Sequence, residues 1–372
     1  MKFFIAIISF LLLYSYSSGQ RFIKTTEPCT DEILKNVKGE WIHWGDPWYA
    51  KVSKQQEQEI RSRVATIHQF IYNLLPSSIP GIDAAWGIHS SDYEFAQQST
   101  REQVTADQSR QKFFNGIPLV QYTYSIGFYE YSCGISGNNY LMRKGYPRED
   151  GAGFRVAVNT LNRFIRTDLQ DVEGMQIDGR NIKSMPDIIG SWKGYTLYHC
   201  EQLGTAVLLH RDGILPYMPV TRKQYLELSI KHFERFFDET IKTYDELGDL
   251  IDKKTKDENI KRDQKQRDEF LNYYRKEIES TTKAGLLDSP AITPAVLPSF
   301  PGFPIFITLE AGGHLMVTEN SKYFRKDLPK YIPQLFILSI EKMKWWFIPK
   351  IDPITTILES FPIEKLQAMI DK

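Results

Sequence analysis

Between Pro216 and Thr221 the spacing of apolar residues changes from two to three-and-four, and one regular element cannot carry both patterns. Upstream, Ile117 to Ser132 alternates. Tyr122, Tyr124, Ile126, Phe128 and Glu130 fall on one parity, and Thr123, Ser125, Gly127, Tyr129 and Tyr131 on the other. Phe154–Val158, Gly194–Cys200 and Thr205–His210 read as further strands. Asp212-Gly213 reads as the turn of a hairpin that joins Ala206–Leu209 to Ile214–Leu215. Short aromatic strands with turn residues between them predict an antiparallel sheet.

Downstream, Thr221 and Gln224 make a capping box, in which a hydroxyl and an amide each satisfy an orphan backbone N–H. Leu226, Ile230, Phe233, Phe237, Ile241 and Tyr244 then keep helical spacing. From Asp252 to Glu269 nearly every side chain is charged or an amide, with signs mixed, and Phe270, Leu271, Tyr274 and Ile278 resume an apolar face. This predicts a helical hairpin over 221–284 with its tip near 253–260. One long helix with a solvated middle is the alternative. An earlier amphipathic helix spans Ser53 to Leu75, with Ile60, Val64, Ile67, Ile71 and Leu74 on one face.

The remaining segments are shorter. Residues 20–50 read as an irregular, aromatic entry segment. Residues 285–304 form a proline-rich connector with Pro290, Pro294, Pro298, Pro301 and Pro304. Ile305–Leu309, His314–Thr318 and Gln334–Ile340 read as strands, and a helix over roughly Ile354–Ile370, interrupted or started by Pro362, closes the chain. The expected class is α+β: an antiparallel sheet packed by helices, with a long helical hairpin excursion and a Pro-rich connector. Its divisions are a signal peptide at 1–19, an α+β domain at 20–220, the hairpin at 221–284, the connector at 285–304, and C-terminal strands and helix at 305–372 on the same core.

The first residues run basic, apolar, then small: Lys2, Phe3 to Leu13, and Ser15-Tyr16-Ser17-Ser18-Gly19. That order is a secretory signal peptide cut before Gln20, and its apolar run is about half the ~20 residues that span a bilayer. The expected location is therefore periplasmic or secreted, without a stable membrane span after cleavage. The 46 basic and 46 acidic side chains balance, which argues against nucleic acid as a partner. Of Cys29, Cys133 and Cys200, the first two are taken as a disulfide, with three unpaired thiols as the alternative. The chain has no Asn-x-Ser/Thr sequon, in keeping with a bacterial exported protein.

Candidate chemistry is sparse. His199-Cys200 places a thiol beside an imidazole, but strand neighbours point to opposite faces, so His210 on the next strand is the base this reading needs. The seven histidines lack metal-ligand spacing, and neither a phosphate loop nor a nucleophile elbow occurs, so no metal and no cofactor are expected. Trp41, Trp44, Trp48, Tyr49 and Trp86 cluster in sequence. Exposed indole and phenol faces stack on sugar rings, which makes this the candidate ligand-binding region.

Several strings resemble a group of exported Bacteroidetes proteins with no assigned activity. They are CTDEILKNVKGEW (Cys29 to Trp41), LPYMPVTRKQYL (Leu215 to Leu226), FRKDLPKYIPQ (Phe324 to Gln334) and FPIEKLQAMIDK (Phe361 to Lys372). The resemblance implies one shared architecture and export, and brings no reaction or ligand. The functional expectation is a non-catalytic binding or interaction protein, with a glycan or an envelope protein as partner. The alternative is a hydrolase acting on envelope or extracellular polymers, its site assembled from distant residues.

Overall fold

Alternation puts one parity of the long tyrosine-rich strand in the core, and a sheet grows on both of its edges. A computed structural model describes residues 22–24, 30–46, 52–91, 119–133, 140–143, 152–161, 164–165, 175–177, 180–200, 203–247, 250–294, 302–341 and 349–372. In chain order the elements begin with β1 (Phe22–Lys24), α1 (Asp31–Leu34), β2 (Trp41–Gly45), α2 (Lys54–Tyr72), β3 (Ile82–Ser91), β4 (Gln121–Cys133), β5 (Tyr140–Arg143) and β6 (Ala152–Val158). Then come β7 (Gln176–Ile177), β8 (Arg180–Asn181), β9 (Lys183–Ser184), β10 (Asp187–Trp192), β11 (Tyr195–Cys200), β12 (Gly204–Leu209) and β13 (Tyr217–Pro219). The rest are α3 (Arg222–Glu246), α4 (Lys253–Lys283), β14 (Ile292–Thr293), β15 (His314–Glu319), β16 (Phe336–Glu341), α5 (Pro353–Ser360) and α6 (Ile363–Gln367).

The fold is α+β. Eight strands lie in the order β2-β3-β4-β6-β16-β12-β11-β10, and the β1–β5 ribbon continues from the far end of β4. Every pairing is antiparallel except β2 with β3, which run parallel on either side of the α2 crossover. That one pair makes the expected antiparallel sheet mixed.

Four layers stack through this sheet. One sheet face packs on α2, α5 and α6: Ile60, Val64, Ile67 and Ile71 meet Tyr124, Phe154, Leu338, Ile357 and Phe361 in one apolar cluster. The C-terminal helices therefore share the core of the first domain. Over part of the other face lies a small antiparallel sheet centred on β15 and flanked by β9, β13 and β14. Val317 and Met185 join Cys200, Ala206, Leu208 and Ile337 there. Strands β12 and β16 are covered on both faces, so they read as nearly continuous apolar runs, Ala206–Leu209 and Phe336–Leu338.

The helical hairpin is present as α3 and α4, and the connection between Glu246 and Lys253 falls just before the expected tip. Both capping-box bonds of Thr221 and Gln224 form. Gly285, at φ +69°, ends α4 in a left-handed turn that lets the Leu286 N–H reach the Thr281 carbonyl. The base is apolar: Tyr225, Leu226, Phe237, Phe270 and Tyr274 pack with Val220, Ala291 and Met316 of the small-sheet layer. The distal half is polar, linked by Tyr244 to Asp263 at 2.8 Å and Lys256 to Asp245 at 2.9 Å.

Two expected strands are absent. Ile214–Leu215 does not return along β12, because β16 occupies that edge from Thr205↔Ile340 to Leu209↔Phe336. The Asp212-Gly213 turn forms, but the chain crosses to the small sheet as β13. Ile305–Leu309 is irregular, and its one strand-like bond runs from Ile307 N–H to the Ile292 carbonyl. The entry segment, expected to be irregular, contributes β1, α1 and β2.

Candidate functional site

Strand β2 reaches the sheet through a passage that only glycine fits. A Cβ on Gly39 would lie 1.8 Å from the Ile82 carbonyl oxygen and 2.3 Å from that of Ile79. Glu40 N–H then donates to Asp83 Oδ1 at 2.8 Å, and Trp41↔Ala84 and His43↔Trp86 set the register. This places large rings on both faces of the β2–β3 corner.

On the α2 face, two imidazoles stack on the Trp86 indole. His43 lies at a centroid distance of 4.3 Å and His68, from α2, at 4.0 Å. Trp41 meets His68 and Tyr72 edge-on, at 5.9 and 4.8 Å, and donates its indole N–H to the Pro76 carbonyl. His68 Nδ1 is 3.1 Å from the Tyr124 hydroxyl. Burial, with a smaller contribution from the His43 charge, holds His68 below its ordinary pKa, and burial pushes the Tyr124 phenol far up. Asp46 ties the corner together: it accepts from His43 Nε2 at 2.7 Å, Arg61 at 2.6 Å and the Ile88 N–H at 3.2 Å. Arg61 also donates to Glu57 at 2.8 Å.

The other face of the same corner is more open. Along β4 the burial alternates residue by residue: Tyr122, Tyr124, Ile126 and Phe128 are buried, and Thr123, Ser125, Gly127 and Tyr129 stay partly exposed. Here glycines receive rings. A Cβ on Gly87 would strike the Trp44 indole at 2.4 Å, and one on Gly127 would meet the Tyr129 phenol at 3.0 Å. Trp44 thus lies against β3 and Tyr129 against β4, while 38% of Trp44 remains exposed. The cross-strand row Gly87–Ser125–Arg155–Ser339 runs from under Trp44 to Arg155, which pairs with Glu341 at 3.5 Å. Two rings on a floor of small residues, with a guanidinium and a carboxylate beyond, make an amphipathic platform.

The aromatic region is thereby divided. Trp41 and Trp86 face α2, and their surroundings are protein rings. Trp44 faces the open side. Trp48 and Tyr49 lie outside the described residues. Sequence reasoning missed His43, His68, Asp46 and Arg61 on one face and Tyr129, Gly87 and Gly127 on the other. The available signal was a glycine inside each of two strands, which marks close approach.

The thiol–imidazole arrangement does not assemble. Cys200 is 0% exposed and its Sγ lies 3.7 Å from the Phe164 carbonyl. His199 is exposed on the opposite face, across from Asp187. Cys200 pairs with Gly204, at the start of β12, and His210 follows its end, roughly 20 Å away at the rise of a strand. His210 Nδ1 instead contacts the Arg211 carbonyl at 2.8 Å. In a Cys29→Ser/Cys133→Ser background, Cys200 is expected to react with a thiol reagent at least about 100-fold more slowly in the native protein than in denaturant, as absorbance at saturating reagent would show. The Cys29–Cys133 pairing lies outside the described residues, since Cys29 does.

Among the described residues no group of three or more His, Cys, Asp or Glu side chains could hold a metal ion, and no helix is long and apolar enough to cross a membrane. No protein-family model, curated protein or solved structure matches this chain.

Proposed function

We propose that the chain is an exported binding protein that takes a glycan across the Trp44–Tyr129 platform. The observation that carries this reading is the pair of rings backed by Gly87 and Gly127 and left partly open beside Arg155 and Glu341. Sugar C–H faces stack on such rings, and the charged pair offers donors and acceptors to hydroxyls. The basic–apolar–small N-terminus and the likeness to exported Bacteroidetes proteins support delivery to the envelope or beyond. Trp41 and Trp86 then position the platform from behind. The hydrolase reading built on Cys200 draws no support from a thiol with no exposed surface.

Tryptophan fluorescence, titrated with soluble fragments of envelope and extracellular polysaccharides, tests the proposal. At least one glycan class is expected to shift the emission, and Trp44→Ala to weaken its binding by about 30-fold, the loss typical of a central aromatic anchor. Binding that is unchanged in Trp44→Ala would place the ligand elsewhere.

A further inference from the structure

The same corner carries a second device on its α2 face, independent of what the platform binds. We propose that Trp86 and its two stacked imidazoles, His43 of β2 and His68 of α2, form a proton-operated latch. It holds the edge strand β2 against α2 while His68 is neutral and loosens it when both rings are protonated.

The geometry gives the two rings different roles. His43 is at the surface, and its protonated form makes an ion pair with Asp46, which Arg61 and the Ile88 N–H keep in place, with Glu57 beyond Arg61. His68 is half-buried among Trp41 from β2, Trp86 from β3, Tyr124 from β4 and Tyr72 from its own helix, and shares the Trp86 indole with His43. The Tyr124 phenol keeps its proton throughout the physiological range, and beside a neutral His68 it either donates to Nδ1 or accepts from Nδ1–H, according to the tautomer. In the doubly protonated ring Nδ1 can only donate. The phenol must then present its oxygen, and two like charges share one indole in a site partly closed to water.

The sign follows from linkage. Burial holds His68 below its ordinary value of 6.5, so the unfolded chain binds its proton more readily than the folded one. The stabilisation is complete above about 6.5 and is lost as the pH falls from there through the folded-state value. Burial is the larger cause and the His43 charge adds to it, so removing His43 is expected to raise the His68 midpoint. Strand β2 is where the strain is relieved: among the described residues it pairs only with β3.

Imidazole carbon–proton spectra of the full chain from pH 4.5 to 8, with amide exchange at the two ends of that range, test the latch. In the wild type His68 is expected to titrate below 6.5, and in His43→Gln its midpoint should move up. Protection factors of Ile42 to Gly45 should fall at least about tenfold between pH 7.5 and 5, while those of Tyr124 to Phe128 hold. His68→Gln should abolish that fall. A His68 midpoint at or above 6.5, a midpoint indifferent to His43→Gln, or β2 amides that open equally in His68→Gln would each overturn the proposal. Should His68→Gln not fold, the exposed His43→Gln variant decides alone.

Discussion

Phe361→Ala is expected to lower the unfolding free energy by about 3–5 kcal/mol, the range for a large ring deleted from a closed core. Phe361 is 0% exposed and sits where three parts of the fold meet. Its ring lies 5.0 Å from that of Phe154 in β6 and 6.4 Å from that of Phe70 in α2. Its carbonyl accepts from Lys193 of the β10–β11 turn at 2.9 Å. The neighbours belong to a sheet and a helix that cannot close on the hole together, so the cavity term adds to the transfer term. Denaturant titration should give the loss directly, and thermal melting should show a drop of roughly 5–15 °C. Phe236→Ala, at a ring that is 50% exposed on α3, should change stability by no more than about 0.5 kcal/mol.

Gly39→Ala is expected to cost about 3 kcal/mol, at the upper end for overpacking, because both atoms that its Cβ would strike are backbone oxygens and no rotamer offers an escape. Strand β2 would have to slide from β3, taking Trp44 off Gly87 and His43 off Trp86. Denaturant midpoints and near-ultraviolet circular dichroism should therefore change together. Gly213→Ala provides the contrast. Its φ of +77° carries strain, but nothing lies within 4 Å of the added carbon, so the cost should stay near 1 kcal/mol.

These two positions also show what could be read along the chain. Helices were legible wherever a cap and a period agreed. Ser53 with Gln56 and Thr221 with Gln224 open α2 and α3, and Ile60, Val64, Ile67 and Ile71 are the face that α2 buries. Strand β4 was legible because one of its faces is open, so alternation survived. Strand β2 was not: in Trp41–Gly45 both parities carry rings, and the element is five residues long. Strand β3 conceals its parity because Asp83 is buried on one face while Ile82 and Ala84 are buried on the other. The false hairpin after Asp212-Gly213 failed for a non-local reason: a strand more than 120 residues away in sequence took the vacant edge. The platform needed Trp44 to meet Gly87 and Tyr129 to turn back over Gly127, and no periodicity reports such contacts.

The hairpin's construction has a mechanical consequence. At 1.5 Å per residue the 31 residues of α4 extend about 46 Å, and the apolar anchorage lies in the half nearest the body. A rotation of about 5° at the Phe233–Tyr274 contacts would carry the far end of α4, about 32 Å away, through roughly 3 Å. A repacking of one or two side chains at the base is therefore magnified at Glu246 and Lys253, the far ends of the two helices. The arm converts angular change in the small-sheet layer into displacement well outside the body of the protein.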